Sequence, residues 1–347
     1  MKNILDCELY QDDLKRISCK VECSLFENSN FLVTGGLGLI GSAIVDLLLT
    51  LNKEYKLNIH IYVAARNKEL YEKKYLSISE AEFIYYDALK PISFDLDIDY
   101  IVCCAGVASP DLFVLKPVET MLANIEGIRN LLDYAKSHKN VKRVLYVSSS
   151  EIYGIKDTLD AFEEDKYGVV DVNNIRSSYP EAKRASELLC KSYTSEYDIN
   201  TVIIRPGHIF GPTASLNDKK ISSDFAYRAA KGKTLKMISS GLQKRSYCYS
   251  LDCALAILIV LMHGEKGESY NVGNDEAISI REMTHVLASA GNVELIINKP
   301  TKEESKQFNP MNNSSLNINK LKALGYENVF SIEEDLIHTV EILKKII

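Results

Sequence analysis

The chain has 347 residues, of which 46% are hydrophobic and 25% are charged. This length accommodates one large α/β unit or two intimate lobes, and this composition excludes a disordered or fibrous chain. The 41 basic residues are outnumbered by 47 acidic ones, which gives a net charge of −6. That balance argues against general binding of nucleic acid or of anionic membranes.

Two further features of the composition concern the cellular setting. The longest apolar run, residues 253–262, is far shorter than the roughly 20 residues that a membrane span needs, and the polar start does not resemble a signal peptide. The eight cysteines include no C-x-x-C pair, and a disulfide framework is unusual in a chain this long. We therefore expect a cytoplasmic protein. No metal site is expected, because no His or Cys cluster has ligand spacing.

Apolar strands and helices alternate along the chain from residue 31 onward. Strands are predicted at residues 31–34, 59–64, 82–86, 100–104, 143–147 and 201–204, and helices at residues 42–51, at residues 118–136 and from residue 179. Near-continuous apolar strands separated by helices indicate a parallel sheet that is covered on both faces. The predicted fold class is α/β, a doubly wound parallel sheet of Rossmann type with a smaller C-terminal substrate-binding lobe.

Changes in composition along the sequence divide the chain into three predicted regions. Residues 1–30 precede the sheet as an N-terminal extension whose role the sequence does not reveal. Residues 31–206 are predicted to form the dinucleotide-binding domain. Beyond Pro206 the chain becomes rich in Gly, Pro, Asn and Ser. Residues 207–347 are therefore predicted to form mainly a substrate-binding lobe, with segments that return to the sheet.

A glycine-rich turn follows the first predicted strand and opens a helix. Gly35 allows a tight turn, Gly38 lets the backbone approach a pyrophosphate, and Gly41 allows the helix to pack on the strand. The phosphates would lie at the helix N-terminus, beside Leu39 and Ile40, where free N–H groups and the helix dipole favour anions. The turn therefore predicts a dinucleotide site.

The residues that follow the second and third strands bear on the choice of dinucleotide. A carboxylate at the end of the second strand normally binds the ribose hydroxyls of NAD, but Ala64 and Ala65 occupy this place and Arg66 follows. An arginine here could meet a 2′-phosphate, which favours NADP. A solvated loop arginine would look the same, so NAD or NADP stays open. Asp87 and Ala88, beyond the third strand, are predicted to lie near the adenine.

Two Tyr-x-x-x-Lys patterns place a phenol and an ammonium one helical turn apart. With 20 tyrosines in the chain, such pairs also arise by chance. The first pattern, Tyr86 to Lys90, runs directly into Pro91 at a strand end, which does not suit a helical pair. Tyr179 and Lys183 instead open a stretch with apolar residues at helical spacing. Only this second pair can hold the geometry.

Three hydroxyls and a carboxylate follow the fifth predicted strand, at Ser148, Ser149, Ser150 and Glu151. Open parallel sheets bind their ligands at the carboxyl ends of their strands. These four side chains are therefore expected at the site, although a capped turn would use the same residue types.

In this order the motifs resemble those of extended short-chain dehydrogenase/reductases, in the nucleotide-sugar epimerase/dehydratase/decarboxylase family. The matching segments are residues 34–41, 105–106, 148–154, 179–183, 205–212, 243–247, 270–274 and 324–326. The resemblance implies an enzyme with bound NAD(P) that transiently oxidises C4 of a nucleotide-diphosphate sugar. It also implies a homodimer that pairs through helices over residues 118–136 and 180–197.

The resemblance further implies a role for each side chain of the site. Tyr179 would act as a phenolate, well below its ordinary pKa, which Lys183 and the nicotinamide ring stabilise. Ser149 would hydrogen-bond the reacting oxygen. The other implied cofactor contact is Ala105, and the implied substrate contacts are Ser109, Ser150, His208 and Arg245, the last of these with a phosphate.

Three fates of the resulting ketone stay open. A 4-epimerisation, placed first, needs only the tyrosine, lysine and serine just described and room for the ketone to rotate. Decarboxylation, placed second, is favoured by the pair Ser150 and Glu151, but residues 307–317 lack the arginine that such enzymes typically carry. A 4,6-dehydration, placed third, keeps Glu151, but Ser150 replaces the usual aspartate. An NADPH-consuming reductase and a non-catalytic NAD(P)-binding regulator rank below these.

Overall fold

The computed structural model describes residues 2–298 and 313–347 of the chain. Its strands are β1 (Asn30–Thr34), β2 (His60–Ala65), β3 (Ala81–Tyr85), β4 (Tyr100–Cys103), β5 (Arg143–Val147), β6 (Thr201–Pro206), β7 (His208–Phe210), β8 (Leu235–Met237), β9 (Lys244–Arg245), β10 (Tyr247–Tyr249), β11 (Ser269–Val272), β12 (Ile278–Ser279), β13 (Leu295–Ile297) and β14 (Asn313–Ser314). Seven of them form one parallel sheet in the order β11-β6-β5-β4-β1-β2-β3. The strand order reverses between β1 and β4, so a crevice opens there at the carboxyl ends of the strands.

Helices cover both faces of this sheet. They are α1 (Glu8–Ser18), α2 (Leu39–Tyr55), α3 (Lys68–Tyr75), α4 (Pro110–Leu115), α5 (Pro117–Ser137), α6 (Ser178–Tyr197), α7 (Ile221–Ala230), α8 (Ser250–His263), α9 (Ile280–Gly291), α10 (Asn319–Lys322) and α11 (Ile332–Ile346). Successive strand residues pack into different hydrophobic clusters, as Leu32 and Val33 do, because their side chains point to opposite faces. The predicted fold class, a doubly wound α/β sheet, is thereby confirmed.

The C-terminal part of the chain adds three small sheets to this frame. β7 pairs with β10 in parallel, β8 pairs with β13 in parallel, and β9 lies between β12 and β14. β11 instead joins the edge of the main sheet beside β6. The chain beyond β6 therefore contributes both to the main sheet and to the surface in front of it.

The longest apolar run of the sequence lies in a core helix. Twelve of the residues of α8, from Ser250 to Leu261, are buried, and the helix packs against α2 and several strands of the main sheet. A helix that is apolar on all sides needs such surroundings. Within the described ranges, no helix has the length and apolar character to cross a membrane.

A buried carboxylate attaches helix α1 of the N-terminal extension to helices α2 and α3. Asp46 on α2 is fully buried and accepts hydrogen bonds from the hydroxyls of Tyr10 and Tyr75, each at 2.7 Å. The Nζ of Lys74 lies 2.8 Å from the same carboxylate. Because a buried charge is stable only when it is fully paired, these contacts join α1, α2 and the end of α3 into one unit.

Three further carboxyl groups meet where α1, α8 and α11 cross. Asp13 accepts a hydrogen bond from Tyr249 at 2.9 Å and pairs with His338 at 2.9 Å. Asp252 accepts one from the backbone N–H of Val329, and both carboxyl oxygens of Asp335 lack a partner within the described residues. Burial raises the pKa of Asp252 to about 7 and the pKa of Asp335 well above its usual value.

This junction predicts a pH-dependent stability. Because the folded-state pKa of Asp335 exceeds the unfolded value, the free energy of unfolding falls as pH rises from about 4 through the folded-state pKa. Asp335→Asn keeps the shape of the neutral carboxyl and loses no hydrogen bond. We expect the variant to be more stable than wild type by on the order of 1–3 kcal/mol at pH 8, and equal to it near pH 4.

Thermal unfolding followed by circular dichroism at both pH values measures this difference. Glu327→Gln removes an exposed carboxyl near the same region and serves as the matched control, with no expected change. An equal gain in stability at both pH values for Asp335→Asn would contradict the prediction.

Candidate active site

A cavity of 310 Å³ opens at the carboxyl ends of β1, β2, β3 and β4. Of the predicted cofactor residues, those that line it are Gly35, Gly38, Arg66, Asp87, Ala88 and Ala105. Asn67, Cys104 and Gly106 also line it and were not predicted. The cavity lies at the reversal of strand order, where an open parallel sheet binds its ligands.

The glycine turn leaves no room for side chains on its inner side. Gly35 has φ +67°, and a Cβ there would lie 2.9 Å from the backbone nitrogen of Ala105. A Cβ on Gly41 would lie 2.2 Å from the carbonyl oxygen of Gly35, so the helix can approach the turn only without one. The backbone, rather than side chains, therefore faces the cavity here.

Leu39 and Ile40 are the first two residues of α2, and their side chains pack against the hydrophobic core. Their backbone N–H groups belong to the first turn of the helix, which has no acceptors within the helix. Such a turn at the edge of a cavity fits the pyrophosphate of a dinucleotide, so the residues present fit NAD(P).

Tyr179 and Lys183 lie one turn apart on α6, and both are buried. The Nζ of Lys183 donates to the carbonyl of Val147 at 2.8 Å and lies 5.8 Å from the ring centre of Tyr179. Burial lowers the pKa of Lys183 to about 8. Neither residue is among those that line the cavity, but the charge of Lys183 acts on the thiol of Cys104 in its wall.

The environment of Tyr179 favours its neutral form. Its ring stacks on Phe113 of α4 at 4.2 Å between centres, with planes 6° apart. Burial raises the pKa of the phenol, the charge of Glu151 raises it further, and the hydroxyl of Ser149 and the charge of Arg176 oppose this. Ionisation of Tyr179 therefore needs more positive charge than the protein places beside it.

The turn after β5 carries Ser149, Ser150 and Glu151. The Oγ of Ser149 accepts a hydrogen bond from the backbone N–H of Glu151 at 3.2 Å, which caps a short 3₁₀ turn, and Ser150 is buried. Glu151 forms a two-bond ion pair with Arg176, at 2.8 and 2.9 Å. Parallel bonds of this kind between a guanidinium and a carboxylate fix their mutual geometry.

Sequence reasoning did not find Arg176 or Phe113. The guanidinium of Arg176 lies 5.6 Å from the ring centre of Phe113, the ring that stacks on Tyr179. A signal for Arg176 existed, since it stands three residues before Tyr179 in the turn that leads into α6. Nothing in the sequence distinguishes Phe113 from an ordinary core residue.

A second cavity, of 480 Å³, lies among the small sheets of the C-terminal part. Its charged lining residues are Lys219, Arg228, Lys236, Arg245 and Asp224. Four cations and one anion make a cavity that attracts a polyanion. The Arg245 side chain is buried, and its guanidinium also feels the charge of Glu151, which connects this cavity to the turn after β5.

The two remaining predicted substrate residues, His208 and Ser109, line neither cavity. His208 on β7 is buried, and its Nδ1 has no partner within the described ranges. Burial and the charges of Arg245 and Lys220 lower the pKa of His208 to about 3, so its ring is neutral. Ser109 precedes α4, the helix that carries Phe113, and its side chain makes no capping hydrogen bond.

Comparisons with known proteins identify the family of this chain. Residues 31–273 match the model of the NAD-dependent epimerase/dehydratase family. The chain is 31% identical over 313 residues to UDP-glucuronic acid decarboxylase 6 of Arabidopsis thaliana, covering 89% of this chain and 87% of that one. The chain belongs to the NAD-dependent epimerase/dehydratase family.

Solved structures share the fold of this family member. An epimerase from Methanothermobacter thermautotrophicus superposes with a TM-score of 0.82 over 95% of each chain, at 21% identity. The UDP-glucuronic acid 4-epimerase of Bacillus cereus, solved with UDP-glucuronic acid and NAD, gives 0.75 over 91% of this chain and 99% of that one, at 23% identity. The predicted family and enzyme class are confirmed, while these comparisons leave the three fates of the ketone open.

Proposed function

We propose that this family member removes the C6 carboxylate of a nucleotide-linked hexuronic acid, a UDP-glucuronate decarboxylase-type reaction. The observation that carries the proposal is the two-bond ion pair between Arg176 and Glu151, beside Tyr179. A guanidinium that already holds a carboxylate in this geometry is suited to exchange it for the carboxylate of a substrate. The similarity to the Arabidopsis decarboxylase supports the same reaction.

The first step is oxidation of the sugar at C4. Tyr179 accepts the proton of the C4 hydroxyl, Ser149 hydrogen-bonds the same oxygen, and the charge of Lys183 stabilises the phenolate. NAD(P), when bound in the glycine-turn cavity, supplies the hydride-accepting and hydride-returning chemistry. The residues that would hold it are Gly35, Gly38, Arg66, Asp87 and Ala105.

The ketone at C4 makes the C6 carboxylate a β-keto acid. The C5–C6 bond then breaks, CO₂ leaves, and the electron pair remains as an enolate whose oxygen accepts hydrogen bonds from Ser149 and protonated Tyr179. A water oriented by Glu151 protonates C5, and the hydroxide that this leaves combines with the released CO₂ as bicarbonate. Tyr179 then returns its proton to the C4 oxygen as the ketone is reduced. Arg176, released from the departed carboxylate, pairs again with Glu151.

The cationic cavity is the proposed site of the nucleotide diphosphate. Arg228 pairs with Asp224 at 2.8 Å, which leaves Lys219, Lys236 and Arg245 to offset the charge of two phosphates. Arg245, the most buried of them, is suited to a two-bond contact with phosphate oxygens. His208 and Ser109 remain proposed substrate contacts. The proposal keeps the predicted division into residues 31–206 for the dinucleotide and residues 207–347 mainly for the substrate.

A 4-epimerase is the second candidate, and a specific observation favours it. Residues 307–317 contain no arginine, whereas the resemblance to decarboxylases implies one there. Most of that segment lies outside the described residues. Dehydration is disfavoured because buried Ser150 stands where a dehydratase would carry an acidic side chain.

The preferred dinucleotide in this proposal is NADP. Arg66 and Asn67 line the cavity where β2 ends, and no carboxylate stands at that strand end. A positive charge there favours a 2′-phosphate, whereas NAD binding uses a carboxylate.

The proposed protein is a homodimer and works in the reducing cytoplasm. α5 and α6 pack together, and their outer faces expose Val118 by 68% and Leu188 by 66%. Apolar side chains of this size on paired helices are typical of an interface between copies. All eight cysteines are free thiols, as a reducing compartment requires.

The reaction is tested by incubating the protein with UDP-glucuronate and NAD(P). We expect a nucleotide sugar that is lighter by one CO₂, measured by mass spectrometry.

Tyr179→Phe should lower kcat by about 10²–10⁴-fold, because the C4 proton then has no acceptor. Arg176→Lys should lower kcat/KM by roughly tenfold or more, because an ammonium cannot make the two-bond contact. Arg129→Lys, at an exposed arginine of α5, is the matched control. An unchanged mass with inverted C4 would assign the epimerase instead.

Cofactor choice is tested at Arg66. Arg66→Ala should weaken NADP binding by about tenfold or more and leave NAD binding unchanged, because only NADP carries the 2′-phosphate. Calorimetric titration measures both affinities. Lys68→Ala, an exposed cation at the start of α3, controls for general loss of charge. An equal loss of affinity for both dinucleotides would show that Arg66 does not read the phosphate.

Dimerisation is tested by sedimentation of wild type and of Leu188→Glu. Wild type should sediment with twice the mass of one chain, and the variant should shift toward the monomer, because a charge would be buried between helices. Leu159→Glu places the same charge on an exposed leucine outside these helices and should leave the mass unchanged. A monomeric wild type would refute the dimer.

A further inference from the structure

The most buried charged contact of the main sheet is not used in the proposed reaction. Arg205 at the end of β6 is 1% exposed, and its Nη2 lies 2.7 Å from Glu187 of α6. Its Nε donates to the same carboxylate at 3.1 and 3.2 Å. Removing two charges from water is costly even when they are paired, and a pair of hydrophobic residues would fill the same space. This pair lies one helical turn from Lys183, so its carboxylate can influence the charge of that side chain.

Glu187 lies one helical turn beyond Lys183 on α6. Residues four apart on a helix are neighbours on one face, and both of these side chains are buried. The groups that favour the charged form of Lys183 against burial are the thiols of Cys103, Cys104 and Cys190 and the carboxylate of Glu187.

The thiols contribute no charge near neutral pH. Burial raises the pKa of Cys103 to about 11 and the pKa values of Cys104 and Cys190 well above that of a free thiol. They are therefore protonated when the enzyme works. Of these four neighbours, Glu187 alone brings a negative charge to Lys183.

Arg205 also connects Glu187 to the turn that carries the reacting side chains. Its Nη1 donates to the hydroxyl of Tyr153 at 3.0 Å and to the carbonyl of Glu164 at 2.7 Å, and its Nη2 donates to the hydroxyl of Tyr167 at 2.6 Å. Tyr153 ends the short turn that begins after Ser149. The guanidinium thus holds α6, this turn and the segment after it in one arrangement.

We propose that Glu187 is a positioning residue for the reaction, because its charge keeps Lys183 protonated. Arg205 fixes the Glu187 carboxylate and joins it to the turn of Ser149 and Glu151. The proposal rests on the Tyr179–Lys183 chemistry of the proposed function and is independent of the identity of the sugar. Neither Glu187 nor Arg205 touches the reacting atoms in this role.

Competitive labelling tests the proposal without any nucleotide sugar. A trace of an acylating reagent is added at a series of pH values, and the extent of Lys183 modification, read by peptide mass spectrometry, gives the titration midpoint of its amine. In wild type we expect a midpoint near pH 8. Glu187→Gln should lower it by about one to two units, because the neutral amide gives no support to the ammonium.

Three further variants separate charge from fold. Glu181→Gln changes a partly exposed carboxylate on the same helix and should leave the midpoint unchanged. Glu187→Asp keeps the charge and should restore the wild-type midpoint to within about half a unit. Should Glu187→Gln alone not fold, Glu187→Gln with Arg205→Gln leaves no unpaired guanidinium at this position, and the midpoint should still fall.

Turnover provides the second measurement. The alkaline limb of the kcat profile should move downward with the labelling midpoint in Glu187→Gln, whereas a merely structural defect lowers kcat at every pH without moving the limb. A Glu187→Gln variant that binds dinucleotide normally and whose Lys183 titrates at the wild-type midpoint would overturn the proposal. Absence of turnover by wild type on nucleotide sugars would instead refute the proposed function, with the labelling result unaffected.

Discussion

The buried ammonium of Lys183 is the constraint on which the rest of this site depends. It lies where α6 crosses the end of β5, 6% exposed, and water cannot solvate it fully. Its surroundings replace water with the carbonyl of Val147 and the ring face of Tyr146 at 4.7 Å, and the charge of Glu187 acts on it from one turn along the helix. The strand end, the helix register and the buried ion pair thus all stabilise the charge of Lys183.

The same exclusion of water acts on Tyr179 in the opposite sense. Burial lowers the pKa of Lys183 and raises the pKa of Tyr179, so that each group is biased toward its neutral form. A phenolate and an ammonium in this place stabilise each other far more than they would in water. The pair is therefore poised to change its protonation only when further positive charge and a hydroxyl enter the cavity, which couples proton transfer to binding.

The elements that follow from local chemistry were predictable from the sequence. The strands of the main sheet are apolar runs, and the glycine turn is required by a positive φ at Gly35 and a close approach at Gly41. Tyr179 and Lys183 could be chosen over Tyr86 and Lys90 because only the former pair stands in a helix. In each case the signal lies within a few residues.

What could not be predicted depends on contacts between distant segments. Arg176 and Glu151 are 25 positions apart, and Arg205 and Glu187 are 18 apart, so no periodicity connects either pair. The two- and three-residue strands of the C-terminal part have too few positions to show an alternating pattern. The predicted helix from residue 42 begins at Leu39, because a helix can start directly after Gly38 without a side-chain cap.

The charges of the second cavity and of Arg176, which lines neither cavity, together constrain how a substrate can lie. Lys219, Lys236 and Arg245 attract an anion at one end, and Arg176 offers a second positive charge near Tyr179. Glu151 lies within electrostatic reach of both Arg245 and Arg176. A ligand with a single anionic end would gain only from the first cluster, and its other end would remain loosely held. A ligand with a diphosphate at one end and a carboxylate at the other satisfies both clusters in one orientation, because the reverse orientation would leave charge uncompensated beside Arg176 and crowd the diphosphate against Glu151. In the proposed decarboxylation, a sugar carboxylate displaces Glu151 from Arg176, whereas a neutral hydroxyl does not, since it cannot replace the charge that it would remove.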